Sequence, residues 1–320
     1  MNPLSAQAQA LIDAVHGGTV GGAAGLRDAD GWALDAVCLH DWRPARWPGV
    51  ALQSWRVSVG APAWATWTLQ VLHPPGAGPR AVLVSGDACW LPPPDRVMTA
   101  CVDAGIALAW FNRTELAADA DDAARTGPVF DRFPQARFGA LSVWAWGLQR
   151  SVDVLCRIEG IDARRVGVVG HSRGGKAALL AGATDARIWL TAANNSGTAG
   201  ASSSFRLGRG SETPLALAQR FPHWLACDAL ASLAAGQVWP ADQDVLLASI
   251  APRGLLLTQS IDDRWANPQG LRHVVARARK AWPGRSHDAV RVAWRQGPHA
   301  FQAEDWAAVL SMAAALPPIA

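Results

Sequence analysis

Val168-Val169-Gly170-His171-Ser172-Arg173-Gly174-Gly175-Lys176 is the stretch on which the reading of this 320-residue chain turns. It spells Gly-x-Ser-x-Gly between an apolar, β-branched run (Arg165 to Val169) and a run of small residues (Gly174 to Ala183). The first run predicts a strand and the second a helix, and the glycines leave space for a sharp turn between them. A strand–turn–helix of this kind holds a serine at an exposed apex with strained dihedrals. The free N–H groups that open the helix then point at whatever the serine attacks. The plain alternative is a glycine-rich turn with an incidental serine, and the flanking strand and helix patterns are what favour a nucleophile.

Working outward, Ala81 to Ser85, Gly105 to Phe111, Ile188 to Ala193, Gly254 to Ser260 and Ala289 to Trp294 are short apolar runs that read as buried strands. Leu141, Ala145, Leu148, Val152 and Leu155 recur at helical spacing within 139–158, and Pro268 to Trp282 and Trp306 to Ala315 also read as helices. Buried strands separated by helices predict an α/β protein: a mostly parallel central sheet with helices on both faces, a three-layer sandwich. Ahead of it, Trp55, Val57 and Val59, then Trp67, Leu69 and Val71, alternate with polar partners and predict two antiparallel strands. Residues 1–50 show only a short helical pattern, Ala6 to Val15, and read as an N-terminal extension. Asn112 to Phe138 is long and polar, and a loop of that length in a compact domain is usually functional. Residues 194–240, with a helix expected at Thr213 to Arg220, read as an insertion over the active site. No repeat or linker divides the chain, so a single domain over 1–320 is expected.

Composition narrows the function. Half of the residues are hydrophobic, which supplies ample core. The net charge of +3 comes from scattered basic residues, so no nucleic-acid partner is expected. No apolar run reaches the ~20 residues of a membrane span. Met1 to His16 holds neither Lys nor Arg and does not read as a signal peptide; as it stands the sequence reads as cytoplasmic, or as exported with a leader removed. The cysteines at 38, 89, 101, 156 and 227 have no C-x-x-C spacing, so no metal site is expected, and their odd number favours free thiols. No cofactor is implied. The chain has 17 Trp and no Tyr, so most indoles belong to the core and a few remain to line a flat, sugar-like substrate.

A serine hydroxyl needs a base to take its proton, and that base works best when a carboxylate orients it. When the serine sits on such an elbow the acid and the histidine follow it in the chain. Of eight histidines, only His299 follows the last expected strand by a few residues, where the chain returns over the sheet edge. His171 adjoins Ser172, and its side chain is expected to point away. The acid is expected after the strand that ends at Ser260, where Asp262 and Asp263 are adjacent and spacing does not choose between them. Asp288 is less well placed. The oxyanion needs donors: the backbone N–H of Arg173 is one by position, and the loop Gly86-Asp87-Ala88 is the expected source of a second.

These residues resemble a family. The elbow block through Ile188, the preceding GALSVWAWGLQRSVDVL, the following NNSG and FPHW, and DQDVLLASIAPRGLLLTQSIDDRWANPQG are similar to carbohydrate esterase family 15, the glucuronoyl methylesterases, over roughly 105–312. The resemblance implies an α/β-hydrolase fold, no metal, and cleavage of esters of 4-O-methyl-glucuronic acid. It implies Ser172 as nucleophile, His299 as base and Arg173 as oxyanion stabiliser, with Lys176, Glu212 and Trp265 as sugar contacts. Many members carry the acid as a Glu where this chain has Asn195; others place an Asp two residues before the Trp of D-x-W-A, which here is Asp263. His171 stands where fungal members have a cysteine, and Asn267 where an Asp is common. The expected substrate is a small or polysaccharide-linked uronate ester. The competing readings are a broad carboxylesterase or polyester hydrolase, and a non-catalytic carbohydrate-binding homologue. On their plainest reading Lys176 is a solvated helix lysine, Trp265 is core and Glu212 caps a helix.

Overall fold

The computed structural model describes residues 4–20, 32–89, 91–120, 124–284 and 286–319. Its strands are β1 (Leu34–Trp42), β2 (Ala51–Val59), β3 (Ala65–His73), β4 (Arg80–Ser85), β5 (Ala107–Phe111), β6 (Ile161–His171), β7 (Leu190–Asn194), β8 (Gly254–Ser260) and β9 (Val290–Arg295). They form one sheet in the order β1-β2-β3-β5-β4-β6-β7-β8-β9. The pairs from β1 to β5 along this order are antiparallel, and from β5 to β9 every pair is parallel.

Strand alternation explains how one sheet serves two cores. In β4, Val82 and Val84 face one side while Ala81 and Leu83 face the other; in β5, Ala107, Ala109 and Phe111 oppose Leu108 and Trp110. All are buried, so these strands read as continuous apolar runs even though the side chains divide with period two. On the first face pack the helices Ala6–His16, Ala140–Leu155, Arg173–Thr184 and Pro268–Ala278. On the second pack Asp95–Asp103 through Val97, Met98 and Cys101, and Ala303–Ala315 through Trp306, Val309 and Met312.

Within the expected extension over 1–50, of which residues 1–3 and 21–31 lie outside the described residues, the described parts are integrated with the sheet and core. Leu11, Ile12 and Val15 are buried in the first core, and β1 pairs with β2 at the sheet edge. His16 closes its helix fully buried, with Nδ1 unpartnered, and burial pushes its pKa down to about 3, aided by the charge of Lys176. The two unpatterned stretches also hold short helices: a 3₁₀ turn Arg113–Glu115 and a helix Pro128–Arg132 in the first, and helices Pro214–Arg220 and Ala229–Ala234 with a 3₁₀ turn Pro222–Trp224 in the second. All five cysteines are free. Among the described residues no helix is long and apolar enough to cross a membrane.

Parallel strands present their carboxyl ends to one edge, and in open α/β sheets ligands bind there, where the strand order breaks. Here β4 sits between β5 and β6, and the segments after β6, β8 and β9 carry Ser172, Asp263 and His299.

Candidate active site

Ser172 lies between β6 and the helix Arg173–Thr184 with φ 54° and ψ −116°. That left-handed φ is costly for a residue with a Cβ and persists because the surroundings fix it. The Ser172 N–H donates to the Asn194 carbonyl at 2.8 Å. A Cβ on Gly170 would collide with the backbone of Gly174, and one on Gly174 with the Asp87 carboxylate. Both glycines are therefore there for close approach.

Ser172, Arg173, Lys176, Glu212, Asp263, Trp265 and His299 all line one cavity of about 330 Å³, together with Asn195, Phe221, Trp224 and others. His299 Nδ1 is 2.5 Å from Asp263 Oδ2. Asp263 is buried and its Oδ1 also accepts the Ala266 N–H at 3.3 Å. Asp262 is exposed and points elsewhere: its Oδ2 accepts the Gly297 N–H at 2.8 Å. Asn195, at the position of the alternative acid, is a connector. Its Nδ2 donates to the Ala300 carbonyl at 3.2 Å and its Oδ1 accepts the Ser260 N–H at 2.8 Å, tying the His299 loop to the end of β8.

The plain readings of the three sugar-contact candidates fail. Lys176 is 4% exposed, so it is not a solvated lysine. Its Nζ donates to the Ser196 carbonyl at 2.7 Å and to the Thr198 carbonyl, and lies 3.8 Å from Glu212 Oε2. An ammonium has three donors, so two are committed and the third is left for the cavity. Glu212 does not cap the helix that follows; Thr213 does, through Oγ1 to the Ala216 N–H at 3.0 Å. Burial raises the Glu212 pKa against the pull of Lys176, and burial lowers that of Lys176 against the pull of Glu212. Trp265 is 43% exposed, so it is cavity wall and surface, not core. Asn267 has φ 55°; its Nδ2 donates to the Ser203 and Arg206 carbonyls and its Oδ1 accepts from Gly208 and Gly270. An Asp there could not donate, so the amide is what laces 203–208 to the loop carrying Asp263 and Trp265.

In the loop Gly86-Asp87-Ala88, the Asp87 side chain supports the elbow: its Oδ2 accepts the His171 N–H at 2.7 Å. One expectation needs correction. His171 stays out of the cavity, but its ring does not turn away from the site. It packs 4.7 Å from the His299 ring, with Nδ1 2.5 Å from Asn194 Oδ1. Burial is the largest influence on His171 and pushes its pKa below the ordinary histidine value, against the Asn194 bond. The residue that sequence reading missed is Asp119, whose Oδ2 lies 2.7 Å from Nη1 of Arg173. Its only signal was its place in the long loop after β5. Among the described residues no cluster of His, Cys, Asp or Glu could hold a metal ion.

Comparison with known proteins finds relatives in both sequence and fold. A family model described as glucuronyl esterase, fungi, matches residues 60–284. The 4-O-methyl-glucuronoyl methylesterase of Hypocrea jecorina is 31% identical over 229 residues, which is 68% of this chain and 47% of that protein. A carbohydrate esterase of an unknown prokaryotic organism is 38% identical over 136 residues, 42% of this chain and 31% of its own. The chain thus spans 31% to 47% of the length of these curated relatives. Among solved structures, a glucuronoyl esterase from Solibacter usitatus superposes with a TM-score of 0.81 at 25% identity, covering 96% of this chain and 90% of that one. A carbohydrate esterase family 15 glucuronoyl esterase from Caldicellulosiruptor kristjansonii gives 0.76 at 26% identity, covering 96% and 83%. The architecture they share with this chain is the α/β-hydrolase fold.

Proposed function

The chain belongs to the glucuronyl esterase family, carbohydrate esterase family 15, and from that premise we propose that it is a serine esterase that hydrolyses uronate esters of the 4-O-methyl-glucuronoyl kind, on a single domain comprising the whole chain. The observation that carries this reading is the meeting, in one cavity, of a strained serine, an Asp263–His299 pair and a buried Lys176–Glu212 pair beside an indole wall.

In this mechanism the Asp263 carboxylate accepts a hydrogen bond from His299 Nδ1–H, which leaves Nε2 free as the base. His299 takes the Ser172 proton as Oγ adds to the ester carbonyl. The Arg173 guanidinium meets the negative charge that forms on the carbonyl oxygen. Collapse of that intermediate breaks the ester C–O bond, and His299 protonates the departing alcohol. Water, deprotonated by the same imidazole, then attacks the acyl-enzyme; as the second intermediate collapses, the His299 imidazolium returns that proton to Ser172 Oγ and the free uronic acid is released. Lys176 and Glu212 are placed to bond hydroxyls on the acyl side, and Trp265 to cover a sugar face. Binding the acyl group this way favours a hydroxylated acid over a bare one, since buried polar groups left unpaired penalise the wrong substrate.

The test is the rate on benzyl glucuronate against benzyl cyclohexanecarboxylate, the same alcohol on an acid without hydroxyls. Clear preference for the glucuronate, abolished in Ser172→Ala, is expected. Equal rates would leave a general carboxylesterase. Absence of Ser172 labelling by a fluorophosphonate, with no hydrolysis, would leave a binding protein.

A further inference from the structure

We propose that Asp119 is a positioning residue that holds the Arg173 guanidinium in its oxyanion-stabilising pose, as a member of a charge-alternating row Asp87–Arg113–Asp119–Arg173 that runs from behind the elbow to the cavity. The inference rests on the esterase reading above and extends it to a residue that never touches the substrate.

Asp119 lies beyond β5 and the turn Arg113–Glu115, and its side chain is 2% exposed. Four groups converge on that carboxylate. Arg173 Nη1 reaches Oδ2 at 2.7 Å, Trp224 Nε1 reaches Oδ1 at 2.9 Å, and Arg113 Nη2 and His223 Nε2 stand at 3.5 Å. Burial opposes its ionisation, yet the hydrogen bonds from His223, Arg173 and Trp224 and the Arg173 charge outweigh it and hold the carboxyl far below the ordinary range. A fixed negative charge therefore stands directly behind Arg173.

Trp224 acts twice. Its N–H binds Asp119, while its ring lies 4.5 Å from the Arg173 guanidinium. The ring is itself fixed by stacking on Phe221, 3.8 Å between centroids and 3° between planes. Arg173 is thus held by a carboxylate on one nitrogen and by an indole ring beneath its guanidinium carbon. These contacts restrict a side chain that otherwise has ~2 kcal/mol of rotamer entropy to lose. A donor fixed before the reaction needs no reorganisation when the oxyanion forms, and that is where its catalytic effect lies.

The row continues away from the cavity. Arg113 pairs with Asp87 Oδ1, and Asp87 Oδ2 accepts the His171 N–H at 2.7 Å. Arg113 is buried, with its guanidinium 4.8 Å from the Trp144 ring. The two residues that flank Ser172 in the chain are therefore tied to the two ends of one ionic row, His171 through its N–H on Asp87 and Arg173 as the last member. Two acids alternate with two arginines, so a buried charge is nowhere left without its opposite.

A double-mutant cycle of Asp119→Asn and Arg173→Ala, read by kcat and KM on benzyl glucuronate, tests this. If Asp119 acts through Arg173, Asp119→Asn lowers kcat by about tenfold to a hundredfold, within the ~10²–10³ of one oxyanion donor. KM then moves less than about twofold, and in the Arg173→Ala background the same change costs less than about twofold further. Unchanged kcat, a pure KM effect, or an equal loss in both backgrounds overturns the proposal, since a merely structural acid would act independently of Arg173. If Asp119→Asn does not fold, Trp224→Leu removes the ring face and the indole donor while keeping the carboxylate, and the same pattern is expected of it. If the enzyme prefers simple esters, the cycle is run on an aryl acetate, which separates failure of the uronate reading from failure of this one. Absence of any Ser172-dependent hydrolysis overturns both.

Discussion

His299 Nδ1 stands 2.5 Å from Asp263 Oδ2, while the adjacent Asp262 turns to the Gly297 amide 2.8 Å away. Consecutive residues in this loop face different partners, so two carboxylates with one sequence signature have different work. Asp263→Asn is expected to lower kcat by about 10³–10⁴, the cost of leaving the imidazole without its carboxylate orienter. Asp262→Asn should cost less than about tenfold, because only a loop contact is weakened. Steady-state kinetics of the two purified variants decide it; a larger loss at 262 would reverse the assignment.

Gly174→Ala brings a methyl group against the Asp87 carboxylate. The carboxylate must retreat, which costs it the His171 amide and disturbs the ionic row. Destabilisation of about 1–3 kcal/mol is expected from overpacking, with a loss of kcat beyond it. Gly175→Ala is the milder neighbour, since its nearest non-adjacent atoms lie 3.1 Å from the new carbon. Thermal unfolding and kcat measured on both should rank 174 as the worse; the opposite order would show that Asp87 yields freely.

Lys176→Met keeps the packing of the stem and removes the charge. Benzyl glucuronate should lose about 10- to 100-fold in kcat/KM, the range for a hydrogen bond from a charged donor. The benzyl ester of cyclohexanecarboxylic acid should change little, since it never used that donor. Stability should fall too, because Glu212 is left buried without its cation. Parallel losses on both esters would mean that Lys176 serves the fold alone.

His16 supplies a pH signature of stability. Its folded pKa of about 3 lies below the ~6.5 of an unfolded histidine. The unfolded chain therefore binds the proton first. His16 imposes no penalty above pH ~6.5, and stability is lost progressively as pH falls from there toward 3. Urea unfolding at pH 7 and pH 5 should show a drop that His16→Gln reduces. A difference between the two proteins that does not vary with pH would contradict the assignment.

What sequence reading could reach follows the physics of each element. The central strands β4, β5, β7 and β8 announced themselves because both of their faces are buried, so their apolar runs are nearly unbroken. β1 was invisible: most of Leu34–Trp42 is exposed at the sheet edge, and no alternation marks it. The elbow, His299 and the two adjacent aspartates were legible because turn chemistry and chain order constrain them. The choice of Asp263 needed a family resemblance, and the distances now give the reason. Asp119 was out of reach, since a carboxylate in an unpatterned loop says nothing of the arginine, the indole and the histidine that meet it from 173, 224 and 223. Those contacts are long in sequence and short in space. Likewise Lys176 reads as a surface residue on its helix until the carbonyls of 196 and 198 close over it.

The position of β9 has a consequence for how the proposed site is assembled. Ser172 sits beyond β6, but the histidine proposed as its base follows β9, an edge strand that pairs with β8 alone from Leu255↔Val290 to Ser260↔Arg295. During synthesis the elbow can form long before its base exists. On the esterase reading, a chain with its first eight strands in place carries the elbow serine without its base, and docking of the last strand is expected to complete the pair. Reaction with a fluorophosphonate during refolding is thus a clock for that closing step, one that circular dichroism, dominated by earlier helices and strands, would not resolve.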